Sequence, residues 1–324
     1  MTGNNKIVAA LMMMCALAFA MSAIAQNYPT KPIRMIVAYP PGGGTDIVGR
    51  VIAQKLSENF GQTVVIDNRG GAAGGIGSEI AAHSVPDGYT IIMGNVAPNA
   101  INVSLYAKLG YDPVNDFEPV SLVASTPNIL VVLPSLAVKT VPDLIALAKA
   151  KPSTLNYPSA GLGSSSHLAG ELFDNLAGVK MVHIPYKGGG PALTDLLGGQ
   201  VQLMFATMPA AMPHVRSGRL RAIAVTSVKR SQAMPDLPTI GETLRGYDAS
   251  TWYGVLAPAR TPRAIVTALH GEIVKILAVA ETRDRLLAQG FEPVGGTPAE
   301  FAAYIKSEIV KWGKVIKAAG IKPE

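Results

Sequence analysis

Short apolar runs alternate with amphipathic segments along nearly the whole chain, and this alternation constrains the fold more than any other feature. Residues 33–39, 64–68, 90–94, 129–133, 181–186, 201–206 and 220–225 are brief, mostly β-branched and bounded by turn formers, which predicts buried strands. Residues 155–157 and 252–258 offer further strand-like stretches. Between the strands come helical patterns with definite starts. Residues 46–60 set Ile47, Val51, Leu56 and Phe60 near one face. Thr140-Val141-Pro142-Asp143 combines a capping threonine, a first-turn proline and an acid three places on. Thr261-Pro262 and Thr297-Pro298-Ala299-Glu300 repeat that logic and open predicted helices over 263–279 and 299–318. Alternation of this kind predicts an α/β fold with mostly parallel sheets flanked by helices. At 324 residues the chain has room for two such domains.

The first 25 residues stand apart from this pattern. Lys6 precedes an apolar run over 7–20 that ends at Ala23-Ile24-Ala25, a small-residue cleavage signal. A charged start, an apolar middle and a small-residue end predict a secretory signal peptide, cut after Ala25. A membrane anchor would need about 20 apolar residues and a stop-transfer flank. Cys15, the only cysteine, follows Met12-Met13-Met14 instead of the small residues of a lipidation site. Cleavage would leave an exported chain with no disulfide, stable through its core alone, as its length allows. The formal charge of +6 is too mild to signal nucleic acid, and no Lys/Arg stripe interleaved with aromatics occurs.

Two glycine- and hydroxyl-rich corners carry the chemical information. Tyr39-Pro40-Pro41-Gly42-Gly43-Gly44-Thr45-Asp46 joins a strand to a helix. Glycine permits close backbone approach, and the free N–H groups and dipole at a helix start favour an anion. A phosphate loop would need Gly-Lys-Ser/Thr, and Asp46 occupies the position where positive charge is wanted. A dinucleotide fingerprint would need a glycine where Ile47 stands. A small carboxylate remains, beside the plainer reading of a tight corner with Asp46 capping its own helix. The second loop, Ser159-Ala160-Gly161-Leu162-Gly163-Ser164-Ser165-Ser166-His167, again sets small residues and hydroxyls before a helix, and a simple capping role is open here too. A further corner, Tyr186-Lys187-Gly188-Gly189-Gly190-Pro191, resembles the first and suggests one such turn in each of two domains. Residues 125–128 and 226–230 are candidate crossings between them. No G-x-S-x-G surrounds Ser164–Ser166, and His83, His167, His183, His214 and His270 show no metal-ligand spacing. No catalytic residue, cofactor or metal is predicted.

The opening Tyr28-Pro29-Thr30-Lys31-Pro32-Ile33-Arg34, the corner Pro40–Asp46, Asp87-Gly88-Tyr89-Thr90, Ser159-Ala160-Gly161 with Gly163-Ser164 and His167-Leu168-Ala169, and His183-Ile184-Pro185-Tyr186-Lys187-Gly188 follow one another in order. Together they resemble the periplasmic receptors of the tripartite tricarboxylate transporter family, the Bug-type solute-binding proteins. The resemblance implies a two-domain, hinged, type II-like Venus-flytrap binding protein without enzymatic activity, monomeric and located in the periplasm. It implies a small organic acid, or a related amide or aromatic acid, captured between the domains and passed to integral membrane permease subunits. Carried onto this chain, the family's ligand loops fall at Pro41, Gly42, Gly43, Thr45 and Asp46, and at Ser159, Ala160, Gly161, Ser164 and Ser165. The stretch Gly94-Asn95-Val96-Ala97-Pro98-Asn99 departs from the family in lacking serine and threonine. Since closure needs one loop per domain, residues 27–125 and 229–324 are expected to form one domain and 126–228 the other. Two alternatives are a secreted hydrolase using Ser164 or Ser165 with His167 or His183, and a ligand sensor that addresses a signalling partner.

Overall fold

The computed structural model describes residues 28–318, 320 and 321, so the signal-peptide expectation lies outside the described residues. The chain opens with β1 (Ile33–Val37), α1 (Gly44–Phe60), β2 (Val64–Asn68), α2 (Gly75–Ala82) and β3 (Thr90–Asn95). A turn of π-helix over Ala97–Ile101 runs into the short α3 (Asn102–Leu105). Then come β4 (Phe117–Val132), α4 (Val141–Ala150), β5 (Asn156–Ser159), α5 (Ser165–Ala177), β6 (Val182–Pro185) and α6 (Gly189–Leu197). β7 (Leu203–Thr207), α7 (Met208–Arg216), β8 (Arg221–Val225), β9 (Ser250–Pro258), α8 (Arg263–Ala278), α9 (Ala280–Ala288), β10 (Glu292–Pro293) and α10 (Pro298–Ala318) complete it.

Local chemistry explains the helix ends. Thr140 and Asp143 close a reciprocal capping box on α4, and Thr297 and Glu300 exchange the same bonds ahead of α10. The Thr261 expectation is corrected: its hydroxyl donates to Pro258 O at 2.7 Å, and α8 starts from Pro262 with no side-chain cap.

Strands run in the order β2-β1-β3-β9-β4-β10 on one side of the molecule. β4 is 16 residues long and changes partners along its length. Up to Pro127 it pairs with β9, and from Asn128 onward with β7 and β8. β5 pairs with β6 and reaches β7's leading residue through Gln202, which donates to Asn156 O at 3.2 Å. The second side therefore reads β6-β5-β7-β4-β8, the same plan as β2-β1-β3-β9-β4. The pairing is mixed where mostly parallel sheets were expected. β1 is parallel to β2 and β3, and β5 to β6. Among the described residues the other strand pairings are antiparallel and involve β4 or β9, which pass between the two sides without a crossover helix.

Both passages meet at one residue. Thr226 N donates to Asn128 O at 2.9 Å, its Oγ1 accepts from Asn128 N at 2.8 Å, and it donates to Ala249 O at 2.9 Å. Residues 229–249, expected with the first unit, pack on the second. Met234 and Leu237 lie against the core of Ile129, Met204 and Val225, and Tyr247 Oη donates to Ala169 O at 2.8 Å. The first half has its own core around Val37, Ile52, Ile91 and Ile273. A third cluster runs from Ile92 and Trp312 to Leu130 and Phe205, so the halves are in contact.

Candidate ligand-binding site

The corner between β1 and α1 is braced by its own acid. Asp46 Oδ2 accepts from Gly42 N and Arg50 Nε, each at 3.0 Å, and Oδ1 accepts from Asn68 Nδ2 at 3.0 Å. Burial alone would raise the Asp46 pKa, but Arg50, Asn68 and the Gly42 N–H outweigh it and hold the carboxyl below its ordinary value. All this hydrogen bonding faces the protein, so Asp46 braces the turn. The next residue inward is different. Thr45 Oγ1 accepts from Asn95 Nδ2 at 2.9 Å, and its own proton stays available.

The corner between β5 and α5 is held from behind by two stacked histidines. His167 Nδ1 accepts from Gly163 N at 3.1 Å, and Ser159 Oγ meets His183 Nε2 at 2.6 Å. The rings lie 4.0 Å apart. Burial, then the neighbouring His167, pushes His183 down to about 3, so it is neutral at ordinary pH. Ser164 caps α5 by accepting from His167 N at 3.3 Å and meets Ser166 Oγ at 3.0 Å. Ser166 Oγ in turn accepts from Ala160 N at 2.9 Å. Among the described hydrogen bonds neither Ser164 nor Ser165 touches an imidazole nitrogen, so the geometry gives the hydrolase reading no support.

The starts of α1, α5, α6 and α7 converge on one cavity with an empty volume of about 510 Å³, mouth included. Each start presents N–H groups that have no partner inside the helix. Gly43, Gly44, Thr45 and Asn95 line it from the first half, and Ala160, Ser164, Ser165, Gly189 and Thr207 from the second. Leu193, Met204, Ala206 and Ala210 add an apolar wall, while Thr251 and Tyr253 of β9 also reach the lining. Among the described residues no charged side chain lines this cavity.

Of the residues expected here, the cavity brings together Gly43, Thr45, Ala160, Ser164 and Ser165. The others lie off this lining. Asp46 is occupied as described, Ser159 is fully buried against His183, and Gly161 backs onto Tyr186 O. Pro41 and Gly42 line a separate hollow with Gly190 and Pro191. That hollow explains the two similar corners. A Cβ on Gly190 would stand 2.5 Å from Pro41 O, and one on Gly42, whose φ is +89°, would meet Gly190 Cα at 3.8 Å. Gly190 therefore serves close approach of chain to chain, whereas Gly42 supplies the left-handed backbone of its turn. The look-alike turns face each other, whereas the topological counterpart of the β1–α1 corner is the β5–α5 loop. Asn95, Thr207, Thr251 and Tyr253 escaped the sequence reading. Asn95 and Thr207 end β3 and β7, and the rule that open α/β sheets bind at strand carboxyl ends could have found them.

Two α/β halves built to one plan, joined by two strand passages and enclosing a cavity with hydroxyls and helix starts at their strand ends, have the fold of periplasmic binding proteins. Residues 48–321 match the model of the tripartite tricarboxylate transporter family receptor. The chain is 41% identical over 302 residues to protein BugT of Bordetella pertussis, covering 92% of each. The structure of R. palustris Rpa4515 with adipate superposes with a TM-score of 0.90 at 41% identity, covering 92% of this chain and all of that one. MatC (Rpa3494) from Rhodopseudomonas palustris with bound malate gives 0.85 at 32% identity, covering 89% of this chain and all of that one. The chain belongs to the tripartite tricarboxylate transporter receptor family.

Proposed function

We propose that this protein is an exported, non-enzymatic receptor that captures a small organic acid between its halves and hands it to the membrane subunits of a tripartite transporter. The observation that carries this reading is the convergence of four helix starts on a cavity without a charged side chain. N–H groups and hydroxyls there can meet a carboxylate without an arginine. The carboxylate is assigned to the space between Gly43–Thr45 and Ser164–Ser165, with the apolar wall receiving the rest of the ligand. Relatives with adipate and with malate support the ligand class. The domain division that suits this reading sets 28–127 with 250–321 and 128–249 between them. It moves the return crossing from 228 to Ala249, because residues 229–249 pack on the second half. The leader read over the first 25 residues supports export to the periplasm.

A receptor of this kind gains stability from its ligand, by about 2.7 kcal/mol at a concentration one hundred times Kd. Thermal unfolding should therefore rise with at least one acid in a panel of succinate, malate, glutarate, adipate, benzoate and their amides. A panel with no shift contradicts the reading.

A further inference from the structure

Tyr253 stands in β9 opposite Asn95 of β3 and packs its ring edge-on against Phe291. The residue is 1% exposed, it lines the cavity, and its hydroxyl makes no hydrogen bond of normal geometry in the protein, although Thr251 stands near enough to lower its pKa. A buried hydroxyl left unpaired costs free energy, so its retention calls for a partner that is not part of the chain. Two neighbours locate that partner. A Cβ on Gly44 would collide with Tyr253 Oη and stand 3.1 Å from Thr207 Oγ1. Thr207 heads α7 without capping it through its side chain. A hydroxyl from each half thus lies beside Gly44, where the first free N–H groups of α1 begin.

We propose that Tyr253 is a ligand-contacting, specificity-determining residue, whose Oη donates to an oxygen of the bound acid while Thr207 Oγ1 supports that oxygen from the opposite half. The inference rests on the receptor reading above. Burial raises the Tyr253 pKa, and Thr251 offsets only part of that rise, so the phenol keeps its proton and remains a donor. A donor fixed at this point selects a ligand with an acceptor oxygen there. It discriminates most strongly for a carboxylate, because a hydrogen bond to a charged group contributes about twice as much as a neutral one. It also explains the third glycine of the triplet. Gly44 leaves space for the tyrosine hydroxyl, a role separate from the left-handed turn at Gly42.

The test is Tyr253→Phe, which removes one oxygen and leaves the ring packing in place. Calorimetric titration with succinate, malate, glutarate, adipate and benzoate should show affinity for each acid that wild type binds falling about tenfold or more. Affinity for the matching amide should fall less. The ligand-free variant should melt at the wild-type temperature or above, since an unpaired buried polar atom has gone. Thr207→Val should weaken the same acids about threefold or more. Unchanged affinity in Tyr253→Phe overturns the proposal, as does a lowered melting temperature with unchanged affinity, which would mark a structural hydroxyl. Wild type that binds none of the acids overturns the receptor reading itself, and this inference with it.

Discussion

Thr45 and Asp46 are adjacent in sequence and do opposite jobs. Thr45 holds Asn95 at 2.9 Å and leaves its proton free at the cavity, whereas Asp46 spends both oxygens on Gly42, Asn68 and Arg50. The sequence alone could place both on a helix start but could not tell which way each turned. Helical periodicity gives a residue's face, and only the position of Asn68 and Arg50 turns the buried carboxylate away from the cavity. The glycine triplet was legible as a site of close approach, yet what it approaches is Tyr253 of distant β9, which Gly44 leaves room for. At this scale Thr45→Val and Ser165→Ala should each weaken acid binding about three- to thirtyfold, spanning the loss of a neutral hydrogen bond and the lower end of that for a charged acceptor. Titration calorimetry reads the loss, and the melting temperature of the ligand-free variants should stay near that of wild type. Wild-type affinity in both variants would move the carboxylate elsewhere.

Elements were legible wherever an apolar run was unbroken. β1, β2, β3, β7 and β8 lie within a few residues of their expected limits. The first half of β4 was missed, and the reason is chemical. Pro119, Ser121, Ser125, Thr126 and Pro127 interrupt its pattern, and its pairing with β9 shifts register between Pro119 and Ser121. The strand is held by pairing along its whole length, and a local pattern cannot report that. α5 shows the same dependence on surroundings. Toward the far end of the helix, Asp174 Oδ2 accepts from Met181 N at 2.7 Å, and burial, with Glu171 adding to it, lifts its pKa to about 7. A carboxyl whose folded pKa is raised binds its proton more tightly in the folded state. Its contribution is complete below about pH 4 and is lost as pH climbs through 7. Asp174→Asn keeps an acceptor for Met181 and cannot ionise. Its melting temperature should exceed that of wild type by more at pH 8 than at pH 4.5. A gap that is equal, or larger at pH 4.5, would contradict the assignment. Comparing the variant with wild type at each pH cancels the opposite trend of His183, whose lowered pKa removes stability as pH falls from about 6.5 toward 3.

At the scale of the molecule, the α/β class and the two-unit plan followed from alternation and length, while the bonds that tie the two candidate crossings together did not. Residues 125–128 and 226–230 were chosen only because each lies between a strand and a new unit. The structure ties Asn128 to Thr226 through buried bonds that no local pattern announces. The meeting of the two glycine corners gives a prediction about shape. Gly190→Val would push against Pro41 O from the opposite half. The variant should stand more open in the presence of saturating ligand, with a larger radius of gyration by small-angle scattering than wild type and weaker binding. Scattering identical to liganded wild type would show that the corners do not limit closure.

The central claim is that an acid is held between the two halves by helix starts in place of charged side chains. A crystal structure of the protein with its tightest-binding acid tests this most directly. The account predicts a carboxylate within about 2.7–3.2 Å of N–H groups at the start of α1 and at the start of α5, with Thr45 and Ser165 beside it. A carboxylate bound to lysine or arginine, or seated outside the cavity between the halves, would contradict it.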